Sequence, residues 1–265
     1  SVLTCGEEVL ATGFAGGNNG RLLCELLDRD GVPHDFVAVE SETRCCINVL
    51  EPSGRSTEFL EPGRKVGEES LAELEKRVSA LLSSADVVTI SGSIPKGLST
   101  NAYTRLISLV KSQGKPCILD TSGNTLVASI DSLPTAIKPN ADEIAQILGR
   151  EVGSIDELAH AARELHGRGI EKVIVSLGGD GAIMACAEGI FRGVAPKIEV
   201  VNPVGAGDTM VGALAVGMKR RLEAPEQLRY AMACASANCL SASTGHFEME
   251  VAERLLEQTV VERIA

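Results

Sequence analysis

The sequence predicts an α/β fold: a three-layer helix–sheet–helix sandwich on a mainly parallel sheet, with a small β lid. Three observations carry this. Short β-rich runs alternate with helical segments along most of the 265 residues. The runs at 86–92, 115–120, 135–140 and 171–179 are nearly continuous in apolar residues, the pattern of strands buried on both faces. Residues 35–62 break the alternation with three strand-like runs in succession. Repeated strand–helix–strand units imply right-handed crossovers and helices on both faces of the sheet. The chain therefore divides into an α/β domain, 1–34 and 63–265, and an antiparallel β appendage, 35–62, that acts as a lid.

Each element has its own justification. "EVLATGFAG" (8–16) reads as a strand entering a Gly-rich turn, and "NGRLLCELLDRDG" (19–31) as a helix closed by Gly31. "DFVAVE", "RCCINVLEP" and "STEFLEP" read as short strands joined by turns that include "PSGR". "VGEESLAELEKRVSALLSSA" (66–85) has the periodicity of an amphipathic helix. "DVVTISG" (86–92) is a buried strand, and "STNAYTRLISLVKSQG" (99–114) a helix with Ser99 as its expected N-cap. "KPCILD", "TAIKPN" and "EKVIVSLGG" repeat the strand signal. Ligands of such sheets bind outside the carboxyl ends of the strands. The loops there, around 16–17, 91–93, 120–122, 138–140 and 176–178, are all polar or Gly-rich.

Composition excludes several classes of function. Aromatic residues are 3% with no Trp, which argues against a base-stacking platform. A net charge of −11 argues against binding the phosphate backbone of nucleic acid, though not against a small phosphorylated ligand. No apolar run approaches the ~20 residues of a membrane helix. The start lacks a basic region followed by a long apolar one, so no signal peptide is expected. The eight cysteines show no paired metal-ligand spacing and read as small core residues of a cytoplasmic protein; only the adjacent Cys45 and Cys46 suggest redox chemistry. The histidines at 34, 160, 166 and 246 read as surface groups.

The chemistry concentrates in "NPVGAGDTMVGALAVGMKR" (202–220). Gly205, Ala206 and Gly207 open an apolar helix, where backbone N–H groups meet the positive end of the helix dipole. Glycine lets an anion approach the backbone closely. Asp208 follows in the first turn, where the dipole favours its ionised form. A carboxylate beside an anion hole suits phosphoryl transfer to an alcohol: the base takes the hydroxyl proton, and the amides stabilise the moving phosphoryl group. The bland reading is an ordinary helix start, since acidic residues favour that position anyway. Gly212 and Gly217, further along, read as sites of close helix packing.

"VGAGDTM" and the small-residue helix after it resemble the C-terminal signature of the ribokinase-like (PfkB) carbohydrate kinases. "GFAGGNNGRLL", "ETRCCINV", "SGSIPKGL", "LDTSGNTL", "KPNADE" and "VSLGGDGA" are similar to that family's other motifs, in the family's order. Asn202-Pro203-Val204, together with "SGSIPKG" and "LDTSG", is similar to the 1-phosphofructokinase and tagatose-6-phosphate kinase branch. The resemblance implies an enzyme that uses ATP and Mg²⁺ to phosphorylate a ketohexose phosphate, fructose 1-phosphate or tagatose 6-phosphate, with fructose 6-phosphate left open. It implies Asp208 as catalytic base, with the N–H groups of Gly205, Ala206 and Gly207 as the anion hole. Asn140 and Glu143 match an Asn-x-x-Glu element that organises Mg²⁺ and phosphate through water; the same spacing is also a capping box. Ser176, Gly178, Gly179 and Gly181 fall near the nucleotide, where the alternative is a simple hairpin turn. Lys138 matches a nucleotide-side position, and Asn238 one near adenine and ribose. Arg44 matches a lid residue on the sugar's existing phosphate, a role that suits a guanidinium. Gly16, Gly17, Asn18, Ser93 and Lys96 fall at the sugar rim. The lid strands suit a homodimer.

The same resemblance sets ~50 residues of family sequence ahead of the first matching motif, an estimate from motif alignment rather than domain size. Those residues carry sheet strands, part of the lid and an Asp that holds the sugar, so the chain as written is expected to turn over poorly. A second reading is a non-catalytic module that binds a nucleotide or sugar phosphate. A dinucleotide-dependent enzyme ranks lower, because no G-x-G-x-x-G follows a strand.

Overall fold

The computed structural model describes residues 1–51 and 56–265. Strand β1 (Ala11–Gly16) leads into helix α1 (Gly17–Arg29) and strand β2 (His34–Val39). Strands β3 (Cys46–Leu50) and β4 (Ser56–Leu60) form an antiparallel pair. The expected turn at "PSGR", 52–55, lies outside the described residues. Helix α2 (Glu68–Leu81), strand β5 (Val88–Ser91), helix α3 (Ala102–Ser112), strand β6 (Cys117–Asp120) and helix α4 (Gly123–Ser129) follow. Then come β7 (Ala136–Ile137), α5 (Ala141–Leu148), α6 (Ile155–Gly167), β8 (Lys172–Ser176), β9 (Ala182–Cys186) and β10 (Gly189–Val194). Helices α7 (Ala206–Lys219), α8 (Ala224–Cys239) and α9 (Met249–Gln258) and strand β11 (Val260–Arg263) complete the chain.

The main sheet has seven strands in the order β11-β10-β9-β8-β7-β6-β5. From β5 to β8 it is parallel, and each crossover is helical. Its outer part, β9 to β11, runs antiparallel because β8 returns through a tight turn and β10 pairs with the C-terminal strand. The apolar runs have period two. Ile118, Ile174 and Met184 join one core cluster, with α7, α8 and α9, while Leu119, Val173, Val175 and Ile183 join the other, with α2, α3, α5 and α6. Both faces are thereby covered.

The structure corrects some local expectations. Strand β2 pairs in parallel with β1, as a separate two-stranded sheet, rather than with the antiparallel strands of the lid. The reason is connectivity: α1 is a crossover helix and returns β2 alongside β1. Ser99 is not the N-cap of α3. Asn101 holds that position, and the Ser99 hydroxyl, two residues earlier, instead accepts from the Asn101 amide at 3.2 Å. Of the histidines, His34 and His166 are half-buried. His34 lies 3.2 Å from Asp28, and His166 2.8 Å from the carbonyl of Ile170. Gly217 lies against α8, where a methyl group would stand 3.0 Å from Gln227, as close helix packing requires. Cys45 and Cys46 are exposed free thiols, while Cys5, Cys117, Cys186 and Cys234 are buried. Among the described residues no helix is long and apolar enough to cross a membrane.

Candidate active site

The carboxyl ends of β5 to β8 form a crest whose loops are tied to one another. The Gly92 amide donates to the Asp120 carbonyl at 3.0 Å, and the Thr121 hydroxyl to the Gly92 carbonyl at 2.7 Å. The Ser176 amide donates to the Pro139 carbonyl at 2.9 Å. The parallel register therefore holds Ser91–Ser93, Asp120, Lys138–Asn140 and Ser176 along one edge.

Helix α7 starts beside this crest. Gly205 is its N-cap, with φ +82°. A methyl group there would stand 2.7 Å from the Thr244 side chain, so both the conformation and the space call for glycine. The turn is braced from below by two buried asparagines. Asn202 donates to the Ala242 carbonyl at 3.1 Å and accepts from the Val204 amide at 3.0 Å. Asn238 donates to the Val204 carbonyl at 2.9 Å and accepts from the Gly245 amide at 2.7 Å. Asn238 is fully buried, so it has no surface to offer an adenine or ribose directly; its work is to hold the turn.

The first intrahelical bond of α7 runs from the Thr209 amide to the Gly205 carbonyl at 2.8 Å. The amides of Gly207 and Asp208 precede it and point out of the helix end. That of Ala206 is engaged by the Pro203 carbonyl at 3.2 Å, so the anion hole expected of three residues has its middle donor turned into the loop. Asp208 is exposed at the helix end, while its neighbour Thr209 is buried. The carboxylate therefore faces outward from the crest rather than into the core.

Lys138 is the main surprise. It is 8% exposed, not solvated, and its ammonium lies 3.2 Å from an Asp120 carboxylate oxygen. A methyl group on Gly207 would stand 3.4 Å from the same ammonium, which places the charge next to the start of α7. Burial pushes the Asp120 carboxyl up; Lys138 opposes this, and Asp208 and Glu143 add to it. Asp208, Glu143, Asp120 and Lys138 thus share one electrostatic neighbourhood.

Asn140 and Glu143 make the capping box of α5: the Asn140 side chain accepts from the Glu143 amide at 2.9 Å, and the Glu143 carboxylate from the Asn140 amide at 2.9 Å. Among the described residues no group of three or more acidic, His or Cys side chains could hold a metal ion directly. The Glu143 carboxylate is nonetheless a hard oxygen donor that fits Mg²⁺ bound through its retained water. Ser176 ends β8 on the crest, and a parallel bridge joins it to Asn140. Gly178 and Gly179 sit exposed in the turn between β8 and β9, so the hairpin geometry is real. Gly181 is buried, its φ +102° allowing close approach to the Gly193 carbonyl.

On the other side lies a cavity of about 510 Å³ between the β1–β2 sheet and β5. Arg44, Ser93, Lys96 and Tyr103 line it, above an apolar floor that includes Phe14 and Ile90. Tyr103 donates to the Gly92 carbonyl at 3.2 Å, and burial raises its hydroxyl to about 12. Gly16, Gly17 and Asn18 do not line the cavity. Gly16 donates to the Thr43 hydroxyl at 3.0 Å, and Glu42 fills the α1 N-terminus by accepting from the Asn19 amide at 2.6 Å. This turn anchors the base of the lid just before Arg44. Sequence reasoning marked the 120–122 loop but gave Asp120 and Thr121 no role of their own, and it passed over Tyr103. The signal for the first two was a polar pair ending an apolar strand, in "LDTSG"; a tyrosine on a helix gives none.

The sequence model for pfkB family carbohydrate kinases matches residues 3–251. Phosphofructokinase-2 from Escherichia coli, solved with substrates and products, is 31% identical with a TM-score of 0.89, over 97% of this chain and 84% of that one. A possible 1-phosphofructokinase from Thermotoga maritima is 26% identical with a TM-score of 0.91, over 100% of this chain and 85% of that one. A putative phosphofructokinase from Staphylococcus aureus is 28% identical with a TM-score of 0.84, over 98% and 84%.

Proposed function

The chain belongs to the pfkB family of carbohydrate kinases, and from that premise we propose that it transfers the γ-phosphoryl group of ATP to a ketohexose phosphate, fructose 1-phosphate or tagatose 6-phosphate, giving the bisphosphate. The observation that carries the proposal is the exposed Asp208 carboxylate at the helix end where the Gly207 and Asp208 amides point outward. Asp208 accepts the proton of the sugar's primary hydroxyl as its oxygen attacks the γ-phosphorus. The bond to the bridging oxygen breaks and ADP leaves. The outward amides and the Lys138 ammonium stabilise the charge on the transferred group. Asn140 and Glu143 would hold Mg²⁺ through water, and the ion would neutralise charge on the nucleotide phosphates.

Ser176, Gly178 and Gly179 line the nucleotide side in this reading, with Asn238 and Gly181 shaping it from beneath. Arg44, with Ser93 beside it, receives the phosphate the sugar already carries. Strands β3 and β4 close over the acceptor and exclude water, and their exposed apolar side chains support a homodimer through the lid.

The test is ADP release measured against fructose 1-phosphate, fructose 6-phosphate and tagatose 6-phosphate. Turnover with one of the three is expected. ATP binding by calorimetry without transfer to any sugar phosphate overturns the reading in favour of a binding module.

A further inference from the structure

We propose that Asp120 is a positioning residue, whose carboxylate anchors the buried Lys138 ammonium beside Gly207 at the start of α7 and keeps it off the Asp208 base. The inference rests on the phosphotransfer reading above and deepens it.

A lysine is almost never buried without a partner. Lys138 is 8% exposed, and Asp120 lies 3.2 Å away at the end of the adjacent strand. The backbone fixes both ends of the pair: β6 and β7 match Ile118 with Ala136 and Leu119 with Ile137. The Lys138 amide continues that ladder to the Leu119 carbonyl at 3.4 Å. Two further carboxylates lie near the pair. Asp208 and Glu143 lie near enough to act electrostatically on Asp120. A flexible four-carbon stem lets an ammonium choose among nearby carboxylates. If it chose Asp208, it would hold the base as an ion pair and lower its basicity. The carboxylate of Asp120, itself 19% exposed in its side chain, fixes the choice.

The experiment compares the wild-type chain with Asp120→Asn, Lys138→Met and the double variant. One readout is steady-state ADP release with the accepted sugar phosphate. The other is calorimetric binding of Mg²⁺ with AMP-PNP, a non-hydrolysable ATP analogue, and separately of ADP. Asp120→Asn is expected to lower kcat ~10- to 100-fold and to weaken AMP-PNP ~10-fold, on the scale of losing one preorganised charge contact. ADP affinity and the KM for the sugar phosphate should change less than ~2-fold, a split that a general loss of structure would not give. In the Lys138→Met background the same substitution should cost nothing further, because its effect passes through the lysine.

The double variant leaves no buried charge unpaired, so its thermal midpoint is expected near that of the wild type, which separates function from folding. Losses that multiply in the double variant overturn the proposal, as does a double variant that regains wild-type turnover. If the wild type binds nucleotide but phosphorylates no sugar phosphate, the kinase reading falls alone. The AMP-PNP cycle then decides this one: equal losses in all three variants support it, and additive or absent losses overturn it. A wild type that binds neither nucleotide overturns both.

Discussion

The two sides of the site are built in different ways. The crest of β5 to β8 stands on a sheet covered on both faces, with Ile118, Ile137 and Ile174 fully buried beneath it. Its loops are cross-tied, and the turn into α7 is held by two asparagines with little or no exposure. The proposed acceptor side adds two separate two-stranded sheets, of which β1–β2 faces β5 across the cavity. In β2 only Val37 is buried, and in the lid Ile47 and Phe59 are 56% and 59% exposed. Two-stranded sheets are marginal by themselves. The contrast suits a division of labour under the proposed function: the groups assigned to phosphoryl transfer sit on the more deeply buried side, and the groups assigned to the sugar sit partly on the more exposed one.

That contrast breaks if substitutions on the rigid side prove mild. Asp208→Asn should lower kcat ~10²- to 10⁴-fold, the range of a general base, with the thermal midpoint unchanged because the side chain is exposed. Near-normal turnover would remove Asp208 from the mechanism. Gly205→Ala should do less to turnover, ~10-fold, and also destabilise the chain by roughly 1–2 kcal/mol, the cost of placing an L side chain at positive φ. A denaturant titration beside the kinetic assay checks both numbers. A Gly205→Ala protein of full stability and rate would mean that the turn adapts, and the rigid side would not be rigid.

Legibility in the sequence followed the same line. The parallel strands could be read because burial on both faces leaves continuous apolar runs such as "CILD" and "VIVS". The turn at 203–208 could be read because at 205 only glycine fits the backbone. The partnership of β1 with β2 could not be read, because a short half-buried strand looks the same in a parallel or an antiparallel pair. Nor could the burial of Lys138, since a lysine at a strand end is ordinarily solvated and its partner is 18 residues away in sequence. Gly16 and Gly17 show the opposite error. The Gly-rich turn is real, but its donors serve Glu42 and Thr43 of this same chain.

The acceptor side sharpens the comparison with smaller effects. Arg44→Met should raise the KM for the sugar phosphate ~10-fold, about 1.4 kcal/mol of binding, with kcat within ~2-fold. The arginine is exposed on the cavity wall, so thermal stability should not move. If kcat falls with KM unchanged, Arg44 acts on the transition state and belongs with the rigid side.

The smallest effect on the single chain is expected at the lid surface. Ile47 and Phe59 sit directly opposite each other on β3 and β4, and both are more than half exposed. In an isolated chain, replacing either with Ser should change stability by no more than ~0.5 kcal/mol, the range of ordinary surface substitutions. If the lid is where two copies meet, the double variant Ile47→Ser with Phe59→Ser should shift the mass seen by light scattering from dimer toward monomer. Turnover should then fall most at low protein concentration, because lid closure would draw on the partner's lid for support. An unchanged mass with unchanged turnover would leave the lid acting alone within each chain. A loss of stability well beyond that range in a chain that stays monomeric would mean that these two side chains already pack within it, and that the lid is stiffer than a bare hairpin.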